Sequence, residues 1–223
     1  MSYARILKDQ EGRPSGYREC DGEVCWMPQR QSYDREFRLV KIDTATMEVL
    51  GHDFIKDGRR VYRQGKLLRG VTPLGFQVLN GVYTGGPGGI WTPYGDAKVA
   101  HPGEFQVLDS GGVPEGAVFP QSYGRDGEFV YFFTGSTDTP RAIRVRGCND
   151  PAAFRVLSWQ YARDGEHVYY QGTVVKKADP ESFIVLGQRY ARDKKHLFLG
   201  DRLLEEGPEG FIIPEQDRRA ESP

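Results

Sequence analysis

Apolar and polar positions alternate over short spans of this chain and are interrupted before a helical stripe can develop. The clearest spans are Phe129-Val130-Tyr131-Phe132-Phe133 and Val168-Tyr169-Tyr170, rich in the aromatic and β-branched residues that suit a pleated surface. The longest stretch without Gly or Pro runs from Gln29 to Leu50, and its apolar positions, Phe37 and Leu39 and later Met47 and Val49, again alternate. Elsewhere windows free of breakers rarely exceed a dozen residues, and a packed helix usually needs at least ten to twelve. The pattern predicts short strands joined by frequent turns.

The pattern also repeats. YARDGEHVYYQGTVVKKADPESFIVL (161–186) aligns with QRYARDKKHLFLGDRLLEEGPEGFII (188–213), and FIKDGRRVYRQGKLLRGVTPLGFQVL (54–79) is an earlier copy. The anchors recur in order: Tyr161 with Tyr190, Asp164 with Asp193, His167 with His196, Pro180 with Pro208 and Phe183 with Phe211. A phrase ending in Val-Leu closes each copy, at Met47-Glu48-Val49-Leu50, Phe76-Gln77-Val78-Leu79, Phe105-Gln106-Val107-Leu108, Phe154-Arg155-Val156-Leu157 and Phe183-Ile184-Val185-Leu186. These phrases start 29 residues apart, except for the step of 49 from 105 to 154, which places an insertion of about 20 residues in the third unit, at about 132–149. A degenerate sixth copy is suggested by Tyr17 followed by Asp21-Gly22-Glu23-Val24.

Within one copy, Tyr161-Ala162-Arg163 reads as a strand with its aromatic ring in the core, and Asp164-Gly165 as a tight two-residue hairpin turn. Val168-Tyr169-Tyr170 is the return strand, Gly172 a second turn and Thr173-Val174-Val175 a third strand. Asp179-Pro180-Glu181-Ser182-Phe183 has the capping Asp and first-position Pro of a one-turn helix. A unit of this size cannot cover its own apolar face, so neighbours must stack. The expected fold is all-β: tandem β-meander or hairpin repeats of about 29 residues with short one-turn helices, stacked in a curved or elongated array, with a small closed propeller as the alternative. Residues 1–30 are expected to cap the array, 31–213 to form the repeat domain and 214–223 to be a disordered tail.

The motif Tyr161-Ala162-Arg163-Asp164-Gly165-Glu166-His167-Val168-Tyr169-Tyr170, followed by Ala178-Asp179-Pro180-Glu181-Ser182-Phe183-Ile184-Val185-Leu186, resembles the repeat of the DKNYY family, as does Tyr190-Ala191-Arg192-Asp193-Lys194-Lys195-His196-Leu197-Phe198. The resemblance is good over about 150–213, looser over 47–108 and broken at 109–149. It implies a repeat architecture and carries over no established catalytic function, with some members acting as immunity partners of secreted toxins.

Composition narrows the rest. Across 223 residues, 30 Lys and Arg balance 31 Asp and Glu, which gives no general reason to bind nucleic acid or an anionic membrane. No apolar run approaches the length of a membrane span, and the N-terminus lacks the apolar stretch of a signal peptide, so a cytoplasmic protein is expected. Asp57, Asp126, Asp164 and Asp193 each occupy the turn slot of a copy, which favours turn chemistry over paired catalytic carboxylates or calcium. His52, His101, His167 and His196 show no ligand spacing, Cys20 and Cys25 have no second pair, and Cys148 has no His with a sequence reason to sit beside it. Gly85-Gly86-Pro87-Gly88-Gly89 lacks the Lys-Ser/Thr of a phosphate loop and reads as an enlarged hairpin turn. No catalytic residue, metal or cofactor is expected.

What the repeat does not explain is the glycine-rich unit with Trp91 and Tyr94, and the insertion with Asp138, Arg141, Arg144 and Arg146. Arginine forks match carboxylates, and loops on a rigid scaffold commonly bind. The competing reading of Arg141-Ala142-Ile143-Arg144-Val145-Arg146 is a solvated strand face with Ile143 and Val145 inward. The expectation is a non-enzymatic protein-binding module with Trp91, Tyr94, Asp138, Arg141, Arg144 and Arg146 at its contact surface, and an immunity protein that covers a cognate toxin as its sharper form. The alternative is a carbohydrate- or ligand-binding module using exposed Trp91, Tyr94 and Trp159.

Overall fold

A computed structural model describes residues 5–27, 37–38, 41–87, 89–93, 95–109, 111, 120–135, 141–187, 189–205 and 207–214, with the backbone alone at Cys20, Phe37, Arg38 and Arg141. The fold is all-β, in six small antiparallel sheets. The chain divides into two compact units, residues 1–79 with 84–88, and residues 80–83 with 89–223.

In the first unit, β1 (Arg5–Lys8), β2 (Pro14–Cys20), β3 (Glu23–Trp26) and β4 (Phe37–Arg38) pair in that order, so the N-terminal segment builds a sheet of its own. β5 (Glu48–Gly51), β6 (Phe54–Lys56), β7 (Val61–Arg63) and β8 (Lys66–Leu67) form the next, and β9 (Gln77–Val78) pairs with β10 (Thr84–Gly86). In the second unit β11 (Gly89–Thr92) pairs with β12 (Gly95–Asp96). Three full meanders follow: β13 (Gln106–Val107), β14 (Gln121–Arg125), β15 (Val130–Thr134) and β16 (Arg141–Arg144); β17 (Arg155–Val156), β18 (Tyr161–Arg163), β19 (Val168–Tyr170) and β20 (Thr173–Val174); and β21 (Ile184–Val185), β22 (Tyr190–Arg192), β23 (Leu197–Leu199) and β24 (Arg202–Leu203). The Val-Leu phrase therefore opens a sheet rather than closing a unit. Val185 pairs with Ala191 and Val156 with Ala162, so each phrase is the first strand of the sheet that follows.

Alternation sets which face each side chain takes. In β18 and β19, Ala162 and Tyr169 pack against the preceding sheet in a cluster with Tyr123, Val130, Phe132 and Phe154, all fully or nearly fully buried. Tyr161 and Val168 pack against the following sheet with Phe183, Ala191 and Phe198. One sheet thus supplies half of two cores, which is why a single repeat would leave a face bare. In the first unit, Tyr17, Val24, Ile55 and Tyr62 form the equivalent cluster.

Four local expectations change. The Asp-Gly turn is a four-residue loop: Asp164 N–H donates to His167 O at 3.0 Å, and Asp57, Asp126 and Asp193 repeat the bond to Arg60, Phe129 and His196. Gly58, Gly127 and Gly165 are not left-handed, so Lys194 can fill the same slot in the last copy. The positive-φ pair lies one turn later, at Gln64-Gly65 and Gln171-Gly172 (φ 49° and 77° in the latter); only at Asp21-Gly22 does an Asp-Gly pair form the two-residue turn itself. The one-turn helices reduce to turns, apart from a 3-10 helix at Pro102–Glu104. No side chain caps that helix, whereas in other copies an Asp side chain takes the free donors of the turn, as Asp150 Oδ1 does from Ala152 N–H at 2.9 Å.

The extra length of the third unit falls only partly where expected. Phe132 and Phe133 are fully buried in β15, and β16 pairs with it residue for residue, so 132–149 is not a break in the sheet. The added residues separate β13 from β14, at 109–120, and β15 from β16, at 135–140. Finally, Gly85 and Gly86 belong to β10 and Gly89 to β11, so three of the residues read as an enlarged turn are strand residues instead.

Candidate functional site

Each repeat presents tyrosine hydroxyls and aspartate carboxylates, the groups that could support chemistry, and the fold uses them to join sheets. Tyr123 Oη donates to Gln160 O (2.9 Å) and accepts from Gly172 N–H (3.1 Å) in the next sheet. Tyr161 Oη lies 2.7 Å from Arg189 O and 3.0 Å from Gly200 O, one sheet further on. Tyr17 repeats the pattern in the first unit with Asp53 O and Gly65 N–H. In each case the acceptor is the carbonyl just before the next sheet's second strand. The second partner is the glycine of that sheet's last turn. At Gly172 a Cβ would stand 2.9 Å from Phe132 Cβ, so glycine is required there by contact as well as by φ.

The turn aspartates are similarly committed. Asp164 Oδ1 accepts from Glu166 N–H and His167 N–H at 2.8 and 2.7 Å, and Oδ2 from the Tyr169 hydroxyl at 2.7 Å. Asp57 and Asp193 extend a carboxylate oxygen to the N–H of Asp43 and Asp179 in the linker before their sheet, and Asp126 to that of His101. Burial pushes these carboxyls up, and the bonds they accept more than reverse it, so all four sit below the ordinary aspartate value. Asp109 is the exception: burial dominates and raises it, although it accepts from Tyr123 N–H, Ser122 Oγ and Gly111 N–H.

Other candidate groups have quiet surroundings. His196 Nδ1 sits 3.1 Å from Asp193 Oδ2, and His101 Nε2 3.0 Å from Glu128. Cys25 is buried, and burial with the nearby Asp164 charge pushes the Cys148 thiol up to about 11. Among the described residues no group of His, Cys, Asp and Glu is arranged to hold a metal, and no helix is long and apolar enough to cross a membrane. The first unit has a cleft of about 480 Å³ whose charges are already paired, Arg13 with Asp9 at 2.8 Å and Lys56 with Glu48 at 3.3 Å. In the second unit a cleft of about 380 Å³ holds Arg125, which donates to Pro151 O at 2.8 Å.

The expected contact residues are only partly brought together. Tyr94 and Asp138 lie outside the described residues, as does the side chain of Arg141, whose backbone pairs with Thr134. Trp91 and Trp159 are half-buried rather than exposed. Arg144 and Arg146 are exposed at the outer edge of their sheet, while Val145 is buried and Ile143 packs inward. Arg144 Cζ stands 3.0 Å from the centre of the Phe129 ring, which fixes the guanidinium against an aromatic face. Sequence reasoning missed the tyrosine bonds. The only available signal was the recurrence of Tyr at 17, 123 and 161 with Gly at 65, 172 and 200.

Residues 93–202 match the family model described as the DKNYY family. No curated protein and no solved structure matches the chain.

Proposed function

The chain is a member of the DKNYY family, on its match over residues 93–202, and from that premise we propose that it is a non-enzymatic repeat scaffold that binds a protein partner. The observation that carries this reading is the use of the repeat's own polar groups. The buried Tyr123 and Tyr161 hydroxyls and the Asp57, Asp126, Asp164 and Asp193 carboxylates are bonded within and between sheets, where they cannot meet a substrate. What varies from copy to copy is the outer edge of each sheet, and an edge repeated along a stack suits an extended partner surface.

The sharper form of the reading is a cytoplasmic immunity protein that covers the active site of a bacterial toxin. The test is titration calorimetry of the purified full chain against the purified products of the genes beside its own. Binding at micromolar affinity or tighter, with loss of the partner's activity, is the expected result. If no such product binds in that range, the reading fails.

A further inference from the structure

We infer that the turns leaving the fourth strands of the second unit carry a row of cations that docks an acidic protein surface; this rests on the proposed function and names the chemistry of its partner. The positions are equivalent by their backbone bonds. Leu68, Ala97, Val145, Val175 and Leu204 each donate an N–H to the first residue or equivalent of the third strand, Val61, Ile90, Val130, Val168 and Leu197, at 2.8–2.9 Å. The next residue in each copy is Arg69, Lys98, Arg146, Lys176 and Glu205. Four of the five are cations, and all are exposed. Lys98 is held by Asp96 at 2.8 Å, whereas Arg146, Lys176 and Lys177 have no carboxylate partner among the described residues.

Two further observations single out the second unit. A Cβ on Gly147 would lie 3.3 Å from Val174 Cγ2, so the turn bearing Arg146 abuts the strand that leads into Lys176 and Lys177. Lys177 also adopts φ 67°, in the slot that Gly70 (φ 75°) and Gly147 (φ 88°) fill in other copies. A lysine in the left-handed region costs roughly 1 kcal/mol relative to glycine, so this cation is kept where the fold alone would prefer none. With Arg144 ordered over Phe129, the cluster is Arg144, Arg146, Lys176 and Lys177 on two adjoining sheet edges.

An acidic protein fits this spacing better than a nucleic acid. Stacked sheets offer a cation position only about every 10 Å, which underfills a phosphate backbone, and the half-buried Trp91 and Trp159 do not offer the open faces on which single-stranded bases stack.

The test uses the full chain and a fluorescent sixteen-residue polyglutamate peptide, read by anisotropy at low salt, beside a sixteen-nucleotide oligothymidine. The triple variant Arg146→Glu/Lys176→Glu/Lys177→Glu is expected to weaken peptide binding about tenfold or more, and Lys8→Glu/Arg59→Glu/Lys195→Glu, of equal charge change, much less. Lys177→Gly is expected to raise the melting temperature while weakening binding. Equal losses in the two triple variants, unchanged binding in the first, or tighter binding of the oligonucleotide overturns the inference. If the partner found by calorimetry binds the first triple variant with unchanged Kd, the row is wrong and the proposed function stands; if no partner is found there, it is the function that has failed.

Discussion

At Tyr161 the ring and the hydroxyl have separate roles. The ring packs 5.4 Å from Phe183 and 4.9 Å from Tyr170, centre to centre, and the hydroxyl reaches two backbone carbonyls of the next sheet. Tyr161→Phe keeps the packing and leaves both carbonyls without that donor. The expected cost is about 1–2 kcal/mol, read as a fall of roughly 3–6 °C in Tm for a chain of this size. Asp164→Ala removes the acceptor for two loop N–H groups and the Tyr169 hydroxyl, and about 3 kcal/mol is expected from chemical denaturation. Asp164→Asn, which keeps one carbonyl oxygen, should lose less. A smaller loss in Asp164→Ala than in Tyr161→Phe would contradict the role given to the turn carboxylates.

The four-residue Asp loop also predicts how the sheets respond to acid. Asp57, Asp126, Asp164 and Asp193 have folded-state pKa values below the unfolded value near 3.9. Their contribution is complete above that value and is lost as pH falls through the lower folded values. Asp109, raised by burial, acts in the opposite sense: its contribution grows as pH falls through its folded pKa. Asp9, Asp96 and Asp179 are lowered as well, so the lowered carboxylates outnumber the raised one, and denaturant midpoints should hold steady down to about pH 4 and then drop. In Asp57→Asn/Asp193→Asn the drop should be shallower from a lower plateau. At this scale the sequence was partly legible. The strands, the Val-Leu phrase and the capping role of Asp179 follow from side-chain pattern, and all recur in the fold. The loop was misjudged because Asp-Gly suits both a two-residue turn and an Asp-capped loop, and only Lys194 in the same slot distinguishes them. The extra residues of the third unit were placed only in part, at 135–140 and not between β13 and β14, because spacing gives their number and not their position. The sheet-joining bonds were missed because the carbonyls of Asp53, Gln160 and Arg189 carry no side-chain signature, which left the recurring Tyr and Gly as the only trace.

At the scale of the molecule, the sheets β13–β16, β17–β20 and β21–β24 of the second unit bury residues against one another and are joined by the Tyr123 and Tyr161 hydroxyls, so stability should behave as a sum of sheet and nearest-neighbour contributions. The candidate surface was legible only in part. Arg144 and Arg146 were visible as a cluster, but the equivalence of Arg146 to Arg69, Lys98 and Lys176 depends on backbone bonds that the one-dimensional alignment did not supply. The account depends on neighbouring sheets being joined by tyrosine hydroxyls, and the joint between Tyr123 and Gly172 can be observed at a single proton. Amide hydrogen exchange at Gly172, compared between the wild type and Tyr123→Phe and corrected for any change in global stability, measures it. The predicted result is exchange about tenfold or more faster in the variant; an unchanged Gly172 rate would contradict the account.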